Sequence, residues 1–144
     1  MEIIEKLEAT KLETLKYFEL SESDLQKTYG SDKWNVRYIL HHVADSESVF
    51  FYRIRRLLSE PKQVIWATDA AAWAKNYGSL PLELSKNIFV TSRDAIMYYA
   101  GQHYEKSAEI TFVHSEMGLR TLKDEFDKVV WHNQQHLANI KSAL

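Results

Sequence analysis

The sequence predicts an all-α fold, a four-helix bundle with one long crossover between its second and third helices. Three observations predict it. Four glycines and two prolines in 144 residues are too little punctuation for many short strands. Apolar residues recur at helical spacing through four long stretches. Between the second and third of them, the segment from Lys62 to Leu80 is the least regular. Four amphipathic helices connected in this way bury their apolar stripes against one another.

The first helix covers residues 2 to 19, where Ile4, Leu7, Leu15 and Phe18 form a stripe through a Lys/Glu-rich background. Ser21 and Asp24 then open a short turn that closes at Tyr29-Gly30. Ser31 or Asp32 caps a second helix running to about Glu60, just before Pro61, with Val36, Ile39, Leu40, Val43, Phe50, Ile54, Leu57 and Leu58 on its apolar side. The crossover, with Trp66, Asp69, the alanine run from Ala70, Trp73 and Tyr77-Gly78, has room for one or two helical turns. Pro81 suits the first turn of a third helix that reaches about His103 through Ile88, Phe89, Ile96, Tyr99 and Ala100. Gly118 breaks the chain again, and Thr121 with Asp124 three residues on caps a final helix that continues nearly to Leu144.

Composition narrows the function. The formal charge of −2, with no basic stripe or tail, removes the electrostatic case for nucleic acid. The absence of cysteine excludes disulfides, thiolate metal sites and a cysteine nucleophile. The start lacks the pattern of a signal peptide, and no apolar run approaches the roughly 18 residues of a membrane span. The expectation is a single cytoplasmic domain over residues 1–144 that acts on a small molecule.

The histidines can be placed by helical phase. His132 and His136 stack one turn apart, roughly 90° from the centre of the core stripe set by Leu122, Phe126, Val129, Val130, Leu137 and Ile140. His42 sits at a similar margin of the second helix, roughly 100° from its stripe, whereas His41 points roughly 150° away and is expected to face water. Two imidazoles one turn apart and a third from a neighbouring helix can hold one divalent ion while leaving positions open, the pattern of a catalytic site. Water on such an ion is acidified toward neutrality, and binding is expected to weaken as pH falls through the histidine range near 6.5. The pair alone is a weak motif, and His132-Asn133-Gln134-Gln135-His136 lacks the glutamate of zinc proteases. A plain bundle with surface histidines competes with the metal reading. His103 reads as a helix-end or core histidine and His114 as a solvent-exposed loop residue.

Glu47 lies roughly 30° from the centre of the second helix's stripe, so it is buried and must be paired, hydrogen-bonded or protonated. An ion pair with a cation of another helix, such as Arg93, is the simpler reading; an acceptor for a ligand imidazole or a proton shuttle is the functional one. Trp34, Trp66, Trp73 and Tyr77 are candidates to wall a substrate pocket, although aromatics at such positions also fill cores.

Several segments together resemble the DinB superfamily, with its YfiT-like metal-dependent hydrolases. The first runs from Trp34 through His41-His42 to Glu47, with a tryptophan eight residues before the histidine that matches a metal ligand. The others are Gly118-Leu119-Arg120-Thr121-Leu122 and His132 through Ile140, together with the Asp- and Trp-containing stretch from Trp66 to Tyr77. The resemblance spans essentially the whole chain. It implies an up-down-down-up bundle, frequent homodimerisation and a three-histidine site for nickel, zinc or a similar ion, with His42, His132 and His136 at the ligand positions. Related branches include thiol-dependent S-transferases, so a low-molecular-weight thiol is a second cofactor to expect. The catalytic group is then the ion's water or thiolate. Two functions follow: a metal-dependent transferase or hydrolase of small molecules, or a non-catalytic homodimeric stress or binding module in which the metal is structural.

Overall fold

The computed structural model describes residues 1–144 throughout. Four long helices carry it: α1 (Glu2–Tyr17), α3 (Val36–Ser59), α5 (Leu82–His103) and α6 (Leu122–Ala143). Two short ones, α2 (Glu22–Leu25) and α4 (Ala70–Ala74), lie in the connections. Side-chain caps explain several starts. The Ser21 hydroxyl accepts from Asp24 N–H, Asp69 caps α4 at Ala72 N–H, and Thr121 with Asp124 forms a reciprocal capping box on α6. Pro81 stands one position before α5. The start of α3 differs from expectation. Asn35, not Ser31 or Asp32, is its cap and accepts from Tyr38 N–H at 2.9 Å. Asp32 is instead in the left-handed region at φ 60°, and a bridge between Thr28 and Asn35 keeps the chain in a loop to that point.

The all-α expectation needs correction. A small sheet of β1 (Val64–Ile65), β2 (Thr111–His114) and β3 (Gly118–Thr121) joins the crossover to the segment before α6. β1 runs parallel to β2, with Val64 opposite Val113, and β2 runs antiparallel to β3, with Val113 opposite Leu119. The turn between β2 and β3 closes at Gly118, whose φ of +77° favours a residue without a Cβ. In β2, Phe112 and His114 point inward while Thr111 and Val113 face out, the two-residue period of a half-buried strand.

Side-chain pairs give the relative directions of the long helices. Lys11 meets Asp94 and Glu19 meets Lys86, so α1 and α5 are antiparallel. Glu47 meets Arg93 and Phe51 stacks on Tyr99, so α3 and α5 are parallel neighbours. The chain between them must therefore travel back along the bundle, which is the work of the β1–α4 segment. Between α3 and α6, His42 meets His132 and Arg53 meets Glu125, an antiparallel pairing. Two apolar clusters fill the interior. One is built on Leu7, Ile54, Ile96, Phe112 and Phe126, the other on Val36, Leu40, Phe89 and Ile140.

Arg93 stands between these clusters with no solvent exposure. Its Nε and Nη2 donate to the two Glu47 carboxylate oxygens at 2.9 and 2.8 Å. Nη1 donates to Leu7 C=O and Thr10 Oγ1, and Nη2 also to Asn133 Oδ1. All five guanidinium donors are thereby used, and one side chain of α5 ties α1, α3 and α6 together. Glu47 is thus the buried ion-pair partner that the simpler reading anticipated. Burial pushes its carboxyl pKa up, and Arg93 opposes that shift.

Candidate metal centre

His42 rises from the second turn of α3, and His132 and His136 lie one turn apart on the antiparallel α6, so the three rings converge between two helices. The His132 Nε2 lies 3.1 Å from His42 Nε2 and 3.1 Å from His136 Nε2. All three ligand atoms fall within 4.8 Å of one another. The spacing fits a shared ion. With metal–nitrogen bonds of about 2.1 Å, two nitrogens on one ion stand about 3.0–3.4 Å apart at octahedral or tetrahedral angles. No carboxylate joins the cluster, so the donor set is imidazole alone, suited to zinc, nickel, copper or iron. Ser46 Oγ, 3.5 Å from His42 Nε2, is the next polar atom.

Burial keeps these rings neutral, as ligands must be. Desolvation takes His42 down to about 4, helped by charge on His136, and desolvation alone takes His136 to about 4. His132 is held well below the ordinary value by burial and by the charges of His136 and His42. The Trp34 ring packs 5.0 Å from that of His42, and Phe50 meets His132 edge-on at 5.6 Å, so apolar surfaces fix both rings. His136 Nδ1 is buried without a partner.

The triad borders a cleft of about 190 Å³ between α3, α6, residues 67–68 and the β2–β3 turn. His42, Ser46, Phe50 and Arg53 line it from α3, and Lys128 and His132 from α6. His114, Glu116 and Met117 close the far side. A larger surface groove of about 490 Å³, between the start of α1 and α6, contains no histidine and lies apart from this chemistry.

Several placements depart from the sequence reading. His41 does not face water. It is fully buried, its Nδ1 is 2.6 Å from Ser85 Oγ, and its ring packs on Tyr77. The phase argument failed because α5 and the crossover cover α3 on a second side, giving it two buried faces rather than one. His114 is not an exposed loop residue either; it is an inward position of β2, 4 % exposed. Of the four aromatics considered as pocket walls, none lines the cleft. Trp34 backs His42 from behind. Tyr77 is buried with its hydroxyl donated to Asp45 at 2.6 Å, the partner a buried phenol needs. Trp66, just after β1, is 76 % exposed, while Trp73 on α4 is 39 % exposed. Arg53 and Lys128 were not singled out by sequence. Their signal was present, since each lies on the same helix face as one of the triad histidines, at spacings of eleven and four, about three turns and one turn.

A sequence profile of the DinB superfamily matches residues 6–140. A protein of Oceanobacillus iheyensis with the provisional name metal-dependent hydrolase is 30 % identical over 126 residues, 87 % of this chain and 73 % of its own. One of Halalkalibacterium halodurans with the same provisional name is 28 % identical over 127 residues, 87 % of this chain and 74 % of its own. Among solved structures, YfiT from Bacillus subtilis, described as a probable metal-dependent hydrolase with an unusual four-helix bundle topology, is similar at a TM-score of 0.88. It shares 23 % identity and covers 99 % of this chain and 83 % of that one, a likeness of fold. With the profile spanning nearly all of its length, the chain belongs to the DinB superfamily.

Proposed function

We propose that this chain is a metal-dependent hydrolase of a small molecule, with His42, His132 and His136 holding one nickel or zinc ion. The observation that carries the reading is the convergence of three neutral imidazole nitrogens beside a cleft that His42 and His132 line, with no fourth protein ligand to close the set. Structural zinc sites are normally closed by four protein ligands, whereas catalytic ones keep a position open. When bound, the ion supplies Lewis acidity and lowers the pKa of water or of a thiol at the open positions. The residues do the rest. Phe50 and Trp34 orient the ligand rings and exclude water behind them, and the cleft admits only a small reactant. The open positions accept a low-molecular-weight thiolate as readily as water, so S-transfer is the alternative outcome of the same test.

The test begins with elemental analysis of untagged protein, which should contain about one ion per chain. The triple variant His42→Ala/His132→Ala/His136→Ala should contain none. Cobalt-substituted protein is then examined with thiols, and a panel of esters and amides is run beside electrophiles plus thiol. Metal-dependent hydrolysis without thiol supports the proposal. Turnover only with thiol, together with a sulfur-to-cobalt charge-transfer band, replaces hydrolysis by S-transfer. A full equivalent of metal in the triple variant overturns both.

A further inference from the structure

The cleft beside the triad contains two groups that the metal reading does not use. Lys128 lines it and makes no ion pair; its Nζ lies 3.7 Å from Met117 Sδ. Glu125, one turn before it on α6, is not available, because it is almost wholly buried and engaged by Arg53 Nη1 at 3.2 Å. His114 is the second. Its Nδ1 accepts from the backbone N–H groups of Glu116 and Met117 at 3.1 and 3.2 Å. A neutral imidazole that accepts at Nδ1 carries its proton on Nε2. The β2–β3 turn therefore fixes the tautomer and leaves Nε2–H as the ring's free polar group, on a side chain that lines the cleft.

From this arrangement we infer that the substrate bears a carboxylate, received beside the triad between the Lys128 ammonium and the His114 Nε2–H. The inference rests on the proposed metal centre as the reacting end of the same cleft. Every other polar side chain of the lining except Glu116 can donate: Ser46, Arg53 and Thr68. Arg53 is held as part of the wall, with Nη2 donating to Trp66 C=O at 3.1 Å. Glu116 is exposed and forms no ion pair with Lys128. A half-buried cation with no counter-ion attracts an anion more strongly than a surface lysine does, because less water screens it. Burial, together with the Lys128 and Arg53 charges, also lowers the His114 pKa, which keeps the ring a neutral donor at pH 7. The volume, about 190 Å³, is on the order of six water molecules and limits the anion to a small one.

The experiment uses the full chain free of metal, so that it reads the cleft alone. Long-range proton–nitrogen spectra of the imidazoles should show His114 as the Nε2–H tautomer. Titration with malonate should shift that Nε2 signal, and the neutral isostere malonamide should bind at least tenfold more weakly. Lys128→Gln, a substitution on a half-exposed side chain, should weaken malonate by at least tenfold. Lys123→Gln, on the same helix but stacked over Tyr104 outside the cleft, should leave malonate affinity within twofold. An Nδ1–H tautomer, equal binding of malonate and malonamide, or indifference to Lys128→Gln would overturn the inference. A chain that binds malonate in this way but takes up no metal would end the proposed hydrolase and leave the anion site standing.

Discussion

At the scale of single residues, adjacent histidines have been given opposite tasks. His42 offers Nε2 to its partners on α6, while His41, one residue earlier, is sealed against Ser85 and Tyr77. His41→Ala should therefore keep its metal but lose stability, because the Ser85 hydroxyl is stranded and a cavity opens. A loss of about 1–3 kcal/mol in denaturant unfolding is expected. Loss of the ion with unchanged stability would show that the second helix is out by one residue. The triad also sets a pH window. Unfolded, its histidines titrate near 6.5; folded and metal-free, His42 and His136 resist protonation down to about 4. Between those values the unfolded chain binds protons that the folded one refuses, so stability is full above 6.5 and falls as pH drops toward 4. Only neutral imidazole holds the ion, so metal should be retained at pH 5.5 and released near pH 4. Stepwise dialysis with elemental analysis reads this directly, and half-release at pH 6.5 would contradict the burial argument. The window lies below the one that sequence suggested, because desolvation of the rings is a property of the packed bundle.

At the scale of elements, legibility followed the length of the pattern. α6 could be read almost to the residue, since Thr121 and Asp124 announce its start and twenty residues of periodic apolar spacing follow. α3 could be read in body but not at its cap. Ser31 and Asp32 are as good cap residues as Asn35, and only the bridge from Thr28 to Asn35 decides among them. The strands could not be read. β1 is two residues long and β2 and β3 four each, too short for alternation to stand out, and β1 acquires meaning only by pairing with a segment nearly fifty residues away. That omission carried a cost at the site. The hairpin supplies the far wall of the cleft, so missing β2 turned His114 from a buried strand residue into an apparent loop residue. The grouping of His42, His132 and His136 was legible because both of their helices were, and helical phase alone aligns His132 with His136. Tryptophan positions were not, because their role depends on which surfaces the crossover covers.

At the scale of the whole molecule, α3 is tied to α6 by the buried Arg53–Glu125 pair and by two further devices. One is the triad on the bundle's flank; the other is Arg93, whose five donors span all four long helices from the interior. A buried pair of this kind adds little net stability compared with well-packed apolar residues, but removing one partner strands the other's charge. Glu47→Leu should therefore cost about 3–5 kcal/mol, measured by urea unfolding of metal-free protein. If Glu47 instead oriented a ligand imidazole, the variant would lose metal while its metal-free stability stayed nearly constant. The separation of the two devices makes a further demand. Glu47 bonds Arg93 and is not among the groups that meet the three histidines, so the ion should still bind the variant at about one per chain. Saturating metal stabilises a folded state by RT ln(1 + [L]/Kd), about 2.7 kcal/mol at a hundredfold excess over Kd. The same increment, within about 0.5 kcal/mol, should appear in wild type and in Glu47→Leu, as for sites that share no partner. A smaller increment in the variant would mean that Asn133, which accepts from Arg93 and directly follows His132, transmits the state of the interior pair to the metal centre.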